Sequence, residues 1–288
     1  MIITLAFVNG FQEKVADKIF GFWGHIRVQK YEVGKSLVSE ELPLIRNKEV
    51  EKNISTTPSI ISYNSFATKS AVLESQTGIE GVLIKGIEKN ENHTALKQFL
   101  VAGRWIQYTD SLYSKETLIS DAVAKGLQIK INDTIKVHFV STNADAQKTY
   151  RKLVVVGFYH TGIDEYDKLF MIADINLIRR INNWEPNQMG GIEVRTKDFA
   201  TLDQDANDVY ANLELKLRSR SVKESTPEIF TWLSLLDVNT QVLLILMMIV
   251  GVINMITALL IMILERTTMI GLLKAMGIGN WSVMKIFL

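Results

Sequence analysis

The residue types that most often carry catalysis or bind metal ions are few and widely spaced in this 288-residue chain. Its four histidines, His25, His93, His138 and His160, lack the three- or four-residue spacing that places two metal ligands on one helix face. The absence of cysteine excludes disulfides, thiol catalysis and cysteine-ligated metals. Neither a G-x-S-x-G nucleophile turn nor a phosphate-binding G-x-x-x-x-G-K-[ST] loop occurs. We therefore expect no catalytic residue, no metal site and no enzymatic activity.

The strongest cation-binding candidate is the acidic run Asp164–Asp167. Carboxylate oxygens suit hard cations such as Ca²⁺, but the ligand spacing of an EF-hand loop is missing. A solvated turn between strands is the favoured interpretation. On that interpretation Tyr166 and Asp167 stabilise the turn after Thr161-Gly162.

Composition and charge narrow the classes of function. Hydrophobic residues make up 47% of the chain, and the formal net charge is +1. No basic run interleaved with aromatic residues appears, so the sequence offers no electrostatic footprint for nucleic acid. The apolar residues are concentrated near the C-terminus, which indicates a membrane segment.

The segment Val242–Leu264 predicts a transmembrane helix. It is uncharged over about 23 residues, enough for the hydrocarbon core of a bilayer. A buried helix of a soluble domain seldom remains uncharged over this length. Gly251, Asn254 and Thr257 are its informative residues, because polar groups in lipid are expected to face another helix or a polar cavity. A helix–helix contact is favoured over substrate contact for these three residues.

The N-terminal residues have the character of the end of another membrane helix. The first apolar stretch is too short to span, and apolar residues at helical spacing continue the pattern to about Gly21 or Gly24. Acidic residues precede Val242 and basic residues follow Leu264, so the positive-inside tendency places residues about 25–230 outside the cytoplasm. Trp23 and Trp232 are predicted to anchor at the membrane interface.

The middle of the chain mixes strand and helix signals and predicts an α+β domain of about 200 residues, in one or two lobes. Helices are predicted at Ser120–Gly126, Asp174–Asn182 and Thr201–Leu215, and Thr226-Pro227-Glu228 begins a helix that continues into the membrane span. Residues Ser141–Thr149 are predicted to form a loop or hairpin tip. Strand candidates are His25–Tyr31, Ser59–Phe66, Ala71–Ser75, Gly81–Ile87, Ile135–Val140, Lys152–Phe158, Lys168–Ile172, Gly191–Arg195 and Leu217–Val222.

Several segments, in this order and spacing, resemble the permease subunits of lipoprotein-releasing (LolC/LolE-like) ABC transporters. The segment Glu265–Gly277 matches best and is similar to the cytoplasmic region of that family which docks onto the ATPase subunit. The wider family includes macrolide-exporter (MacB-type) and cell-division (FtsX-like) permeases. The other matching segments are Asn9–Gln12, Lys18–Gly21, Gly81–Ile87, Leu100–Gly103, Thr117–Leu127, Asn132-Asp133 and Val154–Phe158 with the turn that follows.

The resemblance implies a two-lobed extracytoplasmic domain between transmembrane helices. On this prediction residues 1–24 end the first membrane helix, and residues 25–227 form a periplasmic domain. Its Porter-like lobe comprises about 25–112 and 186–227, and its inserted Sabre-like lobe comprises about 113–185. Residues 228–264 continue into the second span at 242–264, residues 265–280 form the coupling segment, and residues 281–288 begin a third, truncated membrane helix.

The resemblance also implies partners. We expect an ABC ATPase subunit, a second permease subunit in a homo- or heterodimer, a lipoprotein substrate and membrane lipid, with ATP and Mg bound by the partner and no cofactor by this chain. Some relatives recruit a periplasmic chaperone through a proline-containing hook, but Ser141–Arg151 has no proline. The residues expected to couple to the ATPase are Glu265, Arg266, Ile270, Leu273, Lys274, Met276 and Gly277.

The coupling segment also has an interpretation from its residues alone. Ile270, Leu273 and Met276 form an apolar stripe on a short helix, which could fill a groove on a cytoplasmic partner or lie on lipid. The predicted function is lipoprotein extraction from the inner membrane by mechanotransmission. The alternatives are a MacB-type efflux or FtsX-like permease, and a membrane-anchored sensor or scaffold.

Overall fold

The computed structural model describes residues 2–31, 40–108, 112–140, 150–197, 201–211, 213 and 217–287. The chain forms two compact units. One comprises Glu13–Glu228, and the other comprises Met1–Gln12 together with Ile229–Leu288. The first holds the predicted extracytoplasmic domain, and the second holds the predicted membrane and coupling segments.

Eleven helices occur within the described residues. The two longest, α1 and α9, belong in part to each unit. The helices are α1 (Ile2–Trp23), α2 (Lys48–Thr56), α3 (Thr94–Lys97), α4 (Asp121–Gly126), α5 (Asp164–Leu169), α6 (Ile175–Ile181), α7 (Leu202–Ala211), α8 (Val222–Ser225), α9 (Pro227–Glu265), α10 (Thr267–Ala275) and α11 (Asn280–Phe287).

Twelve strands occur within the same ranges, and all lie in the unit Glu13–Glu228. The strands are β1 (Ile26–Lys30), β2 (Leu44–Ile45), β3 (Ile60–Glu74), β4 (Ile79–Ile87), β5 (Leu100–Gly103), β6 (Glu116–Ser120), β7 (Thr134–Phe139), β8 (Tyr150–Tyr159), β9 (Phe170–Asp174), β10 (Gln188–Met189), β11 (Gly191–Thr196) and β12 (Leu217–Ser221).

Ten of these strands form one mixed sheet. Its order is β12-β1-β11-β3-β4-β9-β6-β8-β5, and β7 pairs with both β3 and β8. Pairing is antiparallel except between β4 and β9 and between β6 and β8. All five residues of β9 are buried, as expected for a central strand covered on both faces. The α+β class is therefore confirmed, whereas the division into lobes near residues 113 and 185 stays a prediction.

The N-terminal helix ends at the start of the sheet. Gly24, at φ +73°, donates its backbone N–H to the Phe20 carbonyl at 2.8 Å, which is the left-handed closure that favours glycine. His25 then donates its backbone N–H to the Val194 carbonyl, and β1 begins at the next residue. The prediction of a helix that extends to Gly21 or Gly24 is confirmed.

The predicted strands differ from the observed ones in three places, one of which is Val222, expected at the end of a strand but found as the first residue of α8. Ser59–Phe66 and Ala71–Ser75 were expected as separate strands, but β3 is continuous because its intervening residues Ala67–Ser70 pair with β4. Lys168 and Leu169, expected in a strand, belong to α5. The short strands β2, β5, β6 and β10 were not predicted, since segments this brief carry little periodicity.

The predicted helices form with small corrections. α4 is capped by the Ser120 hydroxyl as expected, but Gly126 lies inside it, and Gln128 is the residue with positive φ. α7 ends at Ala211 rather than Leu215, and Leu215 lies outside the described residues. α2 and α3 were not predicted. The expected loop Ser141–Thr149 also lies outside the described residues.

The second unit is built around α9. This helix begins at Pro227 and runs for 39 residues without a break, as the sequence predicts for residues from Thr226 to Leu264. Among the described helices, α9 is long and apolar enough to cross a membrane by length and composition. It is followed by α10 and α11.

Candidate coupling segment, membrane helix and domain base

The coupling segment begins with a break immediately after the long apolar helix. Glu265 is the last residue of α9, and Arg266 takes φ −100° and ψ 6° between the two helices. The Thr267 hydroxyl donates to the Leu264 carbonyl at 2.8 Å, and the Ile270 backbone N–H donates to the Arg266 carbonyl at 3.0 Å. The first bond satisfies a carbonyl that the end of α9 leaves without a helical partner, and the second is the first i→i−4 bond of α10, so the break is well defined.

The C-terminal end of α10 is closed by Gly277. At φ +87° this glycine donates its N–H to the Lys274 carbonyl at 3.0 Å, and the following Ile278 donates to the Leu273 carbonyl at 3.2 Å. This pair of bonds is the Schellman closure, which requires the left-handed region that glycine occupies without strain. Gly277 therefore has a structural reason for its place in the segment.

The surface of α10 is apolar over much of its area. Ile270 and Leu273 are half-buried, whereas Met269, Leu272 and Met276 are exposed. A short helix with this surface needs either a protein partner or lipid to cover it. Lys274 lies in its last turn, where a cation is favoured by the helix dipole. The ATPase-coupling role of these residues stays a prediction.

The three polar or small residues of the membrane span lie on α9. Gly251 has open space where a Cβ would project, which would allow another backbone to approach. The Thr257 hydroxyl donates to the Ile253 carbonyl at 2.9 Å, so its hydrogen-bonding need is met inside its own helix. Asn254 is exposed. Contact of these residues with another helix or a substrate cavity stays a prediction.

Polar and aromatic contacts join α1 to α9 within the membrane unit. Gln12 donates from Nε2 to the Leu233 carbonyl and to Asp237 Oδ1, both at 2.9 Å. Phe11 packs edge-to-face on Trp232 with ring centroids 5.9 Å apart. The Gln12–Asp237 pair was not predicted, although an acidic residue just before an uncharged span is a signal for such a pair. Trp232 is half exposed, and its role at the membrane interface stays a prediction.

The prediction that Trp23 anchors at a membrane interface is wrong. Trp23 is fully buried in the unit Glu13–Glu228. Its ring packs edge-to-face on Phe170 at 4.9 Å, and the Arg27 guanidinium lies over the indole at 4.3 Å from the centroid. The last turn of α1 is inserted into the domain core, so this indole is inaccessible to lipid.

The acidic run 164–167 forms the start of α5 rather than a solvated turn between strands. Asp167 is buried, and its carboxylate accepts hydrogen bonds from the backbone N–H groups of Thr161 at 2.9 Å and Gly162 at 3.0 Å. The predicted stabilisation of the Thr161-Gly162 turn by Asp167 is thus confirmed. Asp164 instead pairs with Lys168 on the helix surface.

The fold brings one histidine beside two carboxylates that the sequence did not associate. His160 Nδ1 lies 3.0 Å from a carboxylate oxygen of Asp121 and 3.1 Å from one of Asp167. One potential metal-binding atom from each of the three side chains lies within 4.8 Å of the other two. With a hydrogen on Nδ1, the imidazole can donate to either carboxylate at these distances. A hydrogen bond from Lys125 is the main cause that lowers the pKa of Asp121. The expectation that the chain holds no metal stays a prediction.

Sequence comparisons match both units of the chain. The profile of the MacB-like periplasmic core domain matches residues 1–211, and that of the FtsX-like permease C-terminal domain matches residues 242–288. The lipoprotein-releasing system transmembrane protein LolC of Buchnera aphidicola subsp. Schizaphis graminum is 24% identical over 306 residues, covering 100% of this chain and 69% of that protein. The corresponding LolE of Haemophilus influenzae is 19% identical over 299 residues, with coverages of 100% and 68%.

Two solved structures are also similar to this chain, each at 12% identity. The extracellular domain of the ABC-type transporter YknZ from Gram-positive bacteria has a TM-score of 0.44 and covers 68% of this chain and 98% of its own. The periplasmic region of MacB from Actinobacillus actinomycetemcomitans has a TM-score of 0.47, with coverages of 73% and 95%. Since the periplasmic-core profile alone spans residues 1–211, the chain belongs to the MacB/FtsX-type family of ABC transporter permeases that includes the lipoprotein-releasing LolC and LolE proteins.

Proposed function

We propose that this chain is the permease subunit of an ABC transporter that extracts lipoproteins from the inner membrane for transfer to the outer membrane. The names of LolC and LolE, both matched along the whole chain, support lipoproteins as the substrate class. In this proposal ATP and Mg bind to a separate ATPase subunit, which carries out the hydrolysis. A second permease subunit completes the transporter.

The observation that carries the proposal is α10, the short helix immediately after the membrane-crossing helix. It has defined bonds at both ends and presents an apolar surface that includes Leu272 and Met276. A helix of this kind fits a groove on a protein partner. In the proposed arrangement that partner is the ABC ATPase, and Ile270, Leu273 and Met276 provide the apolar contact with Arg266 and Lys274 beside it.

The proposed mechanism is transmission of movement from the cytoplasm to the periplasm. Closure of the ATPase shifts α10, and the shift passes along α9, which is unbroken from Pro227 to Glu265. The domain Glu13–Glu228 then moves outward and displaces the lipoprotein from the bilayer. Such transmission requires two discrete arrangements of the helices, each favoured by one nucleotide state of the partner.

The proposed topology is a multi-pass protein of the bacterial inner membrane. The domain Glu13–Glu228 is periplasmic, α9 is the second span, α10 is cytoplasmic and α11 begins a third span. The basic residues Arg266, Lys274 and Lys285 after the span support a cytoplasmic location for α10. The first half of α1 ends the first span.

The test is a pull-down of the full-length gene product, tagged at its C-terminus, from membranes of the parent bacterium. Recovery of an ABC ATPase together with acylated lipoproteins is the expected result. Recovery of the ATPase with an outer-membrane channel or a periplasmic adaptor would replace lipoprotein release with MacB-type export. Recovery without any ATPase would contradict the transporter proposal and favour a membrane-anchored sensor or scaffold.

A further inference from the structure

Two basic side chains of the sheet hold the last turn of α1. Arg195, on β11, donates from Nη1 to the Phe20 carbonyl at 2.8 Å and from Nη2 to the Gly21 carbonyl at 2.9 Å. Lys85, on β4, donates from Nζ to the Phe22 carbonyl. The Phe20 carbonyl also accepts the Gly24 N–H, whereas the Gly21 and Phe22 carbonyls lie in the last turn, where helix carbonyls lack intrahelical partners. All three consecutive carbonyls accept a charged donor. We call the two basic residues and these three carbonyls the helix clamp.

The clamp is built to remain charged. Lys85 is fully buried, but Glu193 lies 2.7 Å from its Nζ and compensates the charge. Burial lowers the pKa of Lys85 to about 8, so the side chain is still mostly protonated at neutral pH. Both cations face the C-terminal end of α1, where the helix dipole is negative. Their hydrogen bonds are therefore of the strong, charge-assisted kind.

Close packing fixes the position of the same turn. Phe22 and Trp23 are fully buried, and the Phe22 ring stacks on Tyr166 with centroids 5.3 Å apart. A Cβ on Gly21 would lie 2.7 Å from the Phe99 ring, so glycine allows α1 to approach this side chain. The aromatic contacts resist sideways movement. The clamp bonds act along the helix axis, because helix carbonyls point toward the C-terminus.

We propose that the helix clamp is the joint through which α1 drives the sheet, with Arg195 as its principal positioning residue. α1 is one helix from Ile2 to Trp23, so an axial pull on it acts on β11 and β4 through the three clamp bonds. Arg195 matters most because its planar fork holds two carbonyls at once, which neither lysine nor a neutral amide can reproduce. The inference rests on the proposed function only for the source of the movement.

The direct test measures the joint itself, independently of transport. Residues 1–288 contain no cysteine, so spin labels can be placed at Lys14→Cys on α1 and Glu80→Cys on β4, both exposed positions, with any cysteine elsewhere in the full-length protein replaced by serine. In the full-length protein in nanodiscs, the label-to-label distance distribution should be narrow. Arg195→Gln should broaden it by about twofold, and Arg195→Lys should give an intermediate width, because glutamine is neutral and lysine has one donor nitrogen in place of the two at the end of the arginine fork. Arg180→Gln, which changes an exposed arginine on α6, is the matched control and should leave the distribution unchanged.

The functional test uses the same variants in proteoliposomes with the ABC ATPase. Arg195→Gln should keep ATP hydrolysis while lipoprotein release falls about tenfold, whereas Arg180→Gln should keep both. A merely stabilising role would lower both activities together through loss of folded protein. Unchanged release, or an unchanged distance distribution in Arg195→Gln, would overturn the proposal.

Failure of the proposed function, and failure of the Arg195→Gln variant to fold, can each be distinguished from failure of the clamp proposal. Where wild-type protein releases no lipoprotein, the proposed function fails, and the distance measurement still decides whether the clamp is a joint. Where Arg195→Gln does not fold, Gly21→Ala replaces it, because its methyl group displaces the last turn against Phe99 while both basic residues stay in place. Broadening in Gly21→Ala supports the joint, and an unchanged distribution contradicts it.

Discussion

Ile26 and Ser221 lie directly opposite each other as a cross-strand pair of β1 and β12. Ile26 is the first residue of β1, two residues after α1 is closed by Gly24, and Ser221 is the last residue of β12. Ser221 caps α8, which leads into α9 at Pro227. The end of α1 and the start of α8 therefore lie next to each other at the same end of the β1–β12 pair.

This arrangement gives the sheet two neighbouring points at which a helix can act on it. At the first, the helix clamp of Arg195 and Lys85 holds α1. At the second, the Val222 backbone N–H donates to the His25 carbonyl at 2.9 Å, so the start of α8 is tied to the residue before β1. The two attachments thus involve different strands, since the clamp residues lie on β11 and β4 and the Val222–His25 bond adjoins β1 and β12.

The first prediction concerns the apolar stripe of α10. Ile270→Ala together with Leu273→Ala should uncouple ATP hydrolysis from lipoprotein release, because it removes the contacts that would fill a groove on the ATPase. Membrane insertion should be unaffected, since α9 is unchanged. The measurements are ATPase activity and release in proteoliposomes. The exposed off-stripe variant Thr268→Ala is the control, and unchanged coupling in the double variant would refute the docking role.

Much of the fold was predictable because its signals are local. The continuous helix from Pro227 follows from an uncharged apolar run, and the capped helix after Ser120 follows from its hydroxyl. Trp23 was misplaced because a tryptophan near a membrane segment fits two environments, and only the tertiary fold distinguishes them. The clamp was missed because its partners are more than 60 residues apart in sequence. A local signal is Lys85, a charge that follows the apolar residues Val82–Ile84 within β4.

The second prediction concerns the Gln12–Asp237 contact between α1 and α9. Asp237→Ala should lower the thermal unfolding temperature of the detergent-solubilised protein, because Gln12 loses an acceptor worth about 1 kcal/mol. Asp237→Asn keeps an acceptor oxygen and should be close to wild type. In a double-mutant cycle, Gln12→Ala and Asp237→Ala should be less than additive. Strict additivity would show that the pair contributes no coupling.

The third prediction compares two glycines. Gly24→Ala should destabilise the protein by about 1–2 kcal/mol, because residue 24 has φ +73° and its new Cβ would lie 3.1 Å from the Val194 carbonyl oxygen. Gly126→Ala should instead stabilise it by about 0.5–1 kcal/mol, since that residue is helical and the methyl group meets open space. Urea titration of the full-length protein measures both changes. Effects of the same sign in the two variants would contradict this assignment of backbone strain.

The last prediction is a pH dependence of stability that originates at His25. Burial, followed by the charge of Arg195, lowers the pKa of His25 from 6.5 to about 4. The neutral ring stacks on Phe20 with centroids 4.4 Å apart, and its Nδ1 accepts the Thr196 backbone N–H at 3.3 Å. Protonation would remove this acceptor and place a positive charge beside Arg195.

The direction of this pH dependence follows from the number of protons bound by the folded and the unfolded protein. Between pH 4 and 6.5 the unfolded chain binds a proton at His25 that the folded chain does not, so this contribution is complete above pH 6.5 and is lost as the pH falls toward 4. The full contribution is on the order of 3 kcal/mol. Glu91 acts oppositely, since burial raises its pKa from 4.5 to about 7 and makes the folded state less stable as the pH rises through that window.

Comparison with His25→Gln separates the two groups, because Glu91 is common to both proteins and cancels in the difference. The free energy of unfolding of wild type minus that of His25→Gln should increase from pH 4 to pH 6.5 and remain constant above it. Urea titration at closely spaced pH values measures this difference. A difference that is flat across the window would mean that His25 is charged as readily in the folded protein as in the unfolded chain, and that its stacking on Phe20 does not depend on neutrality.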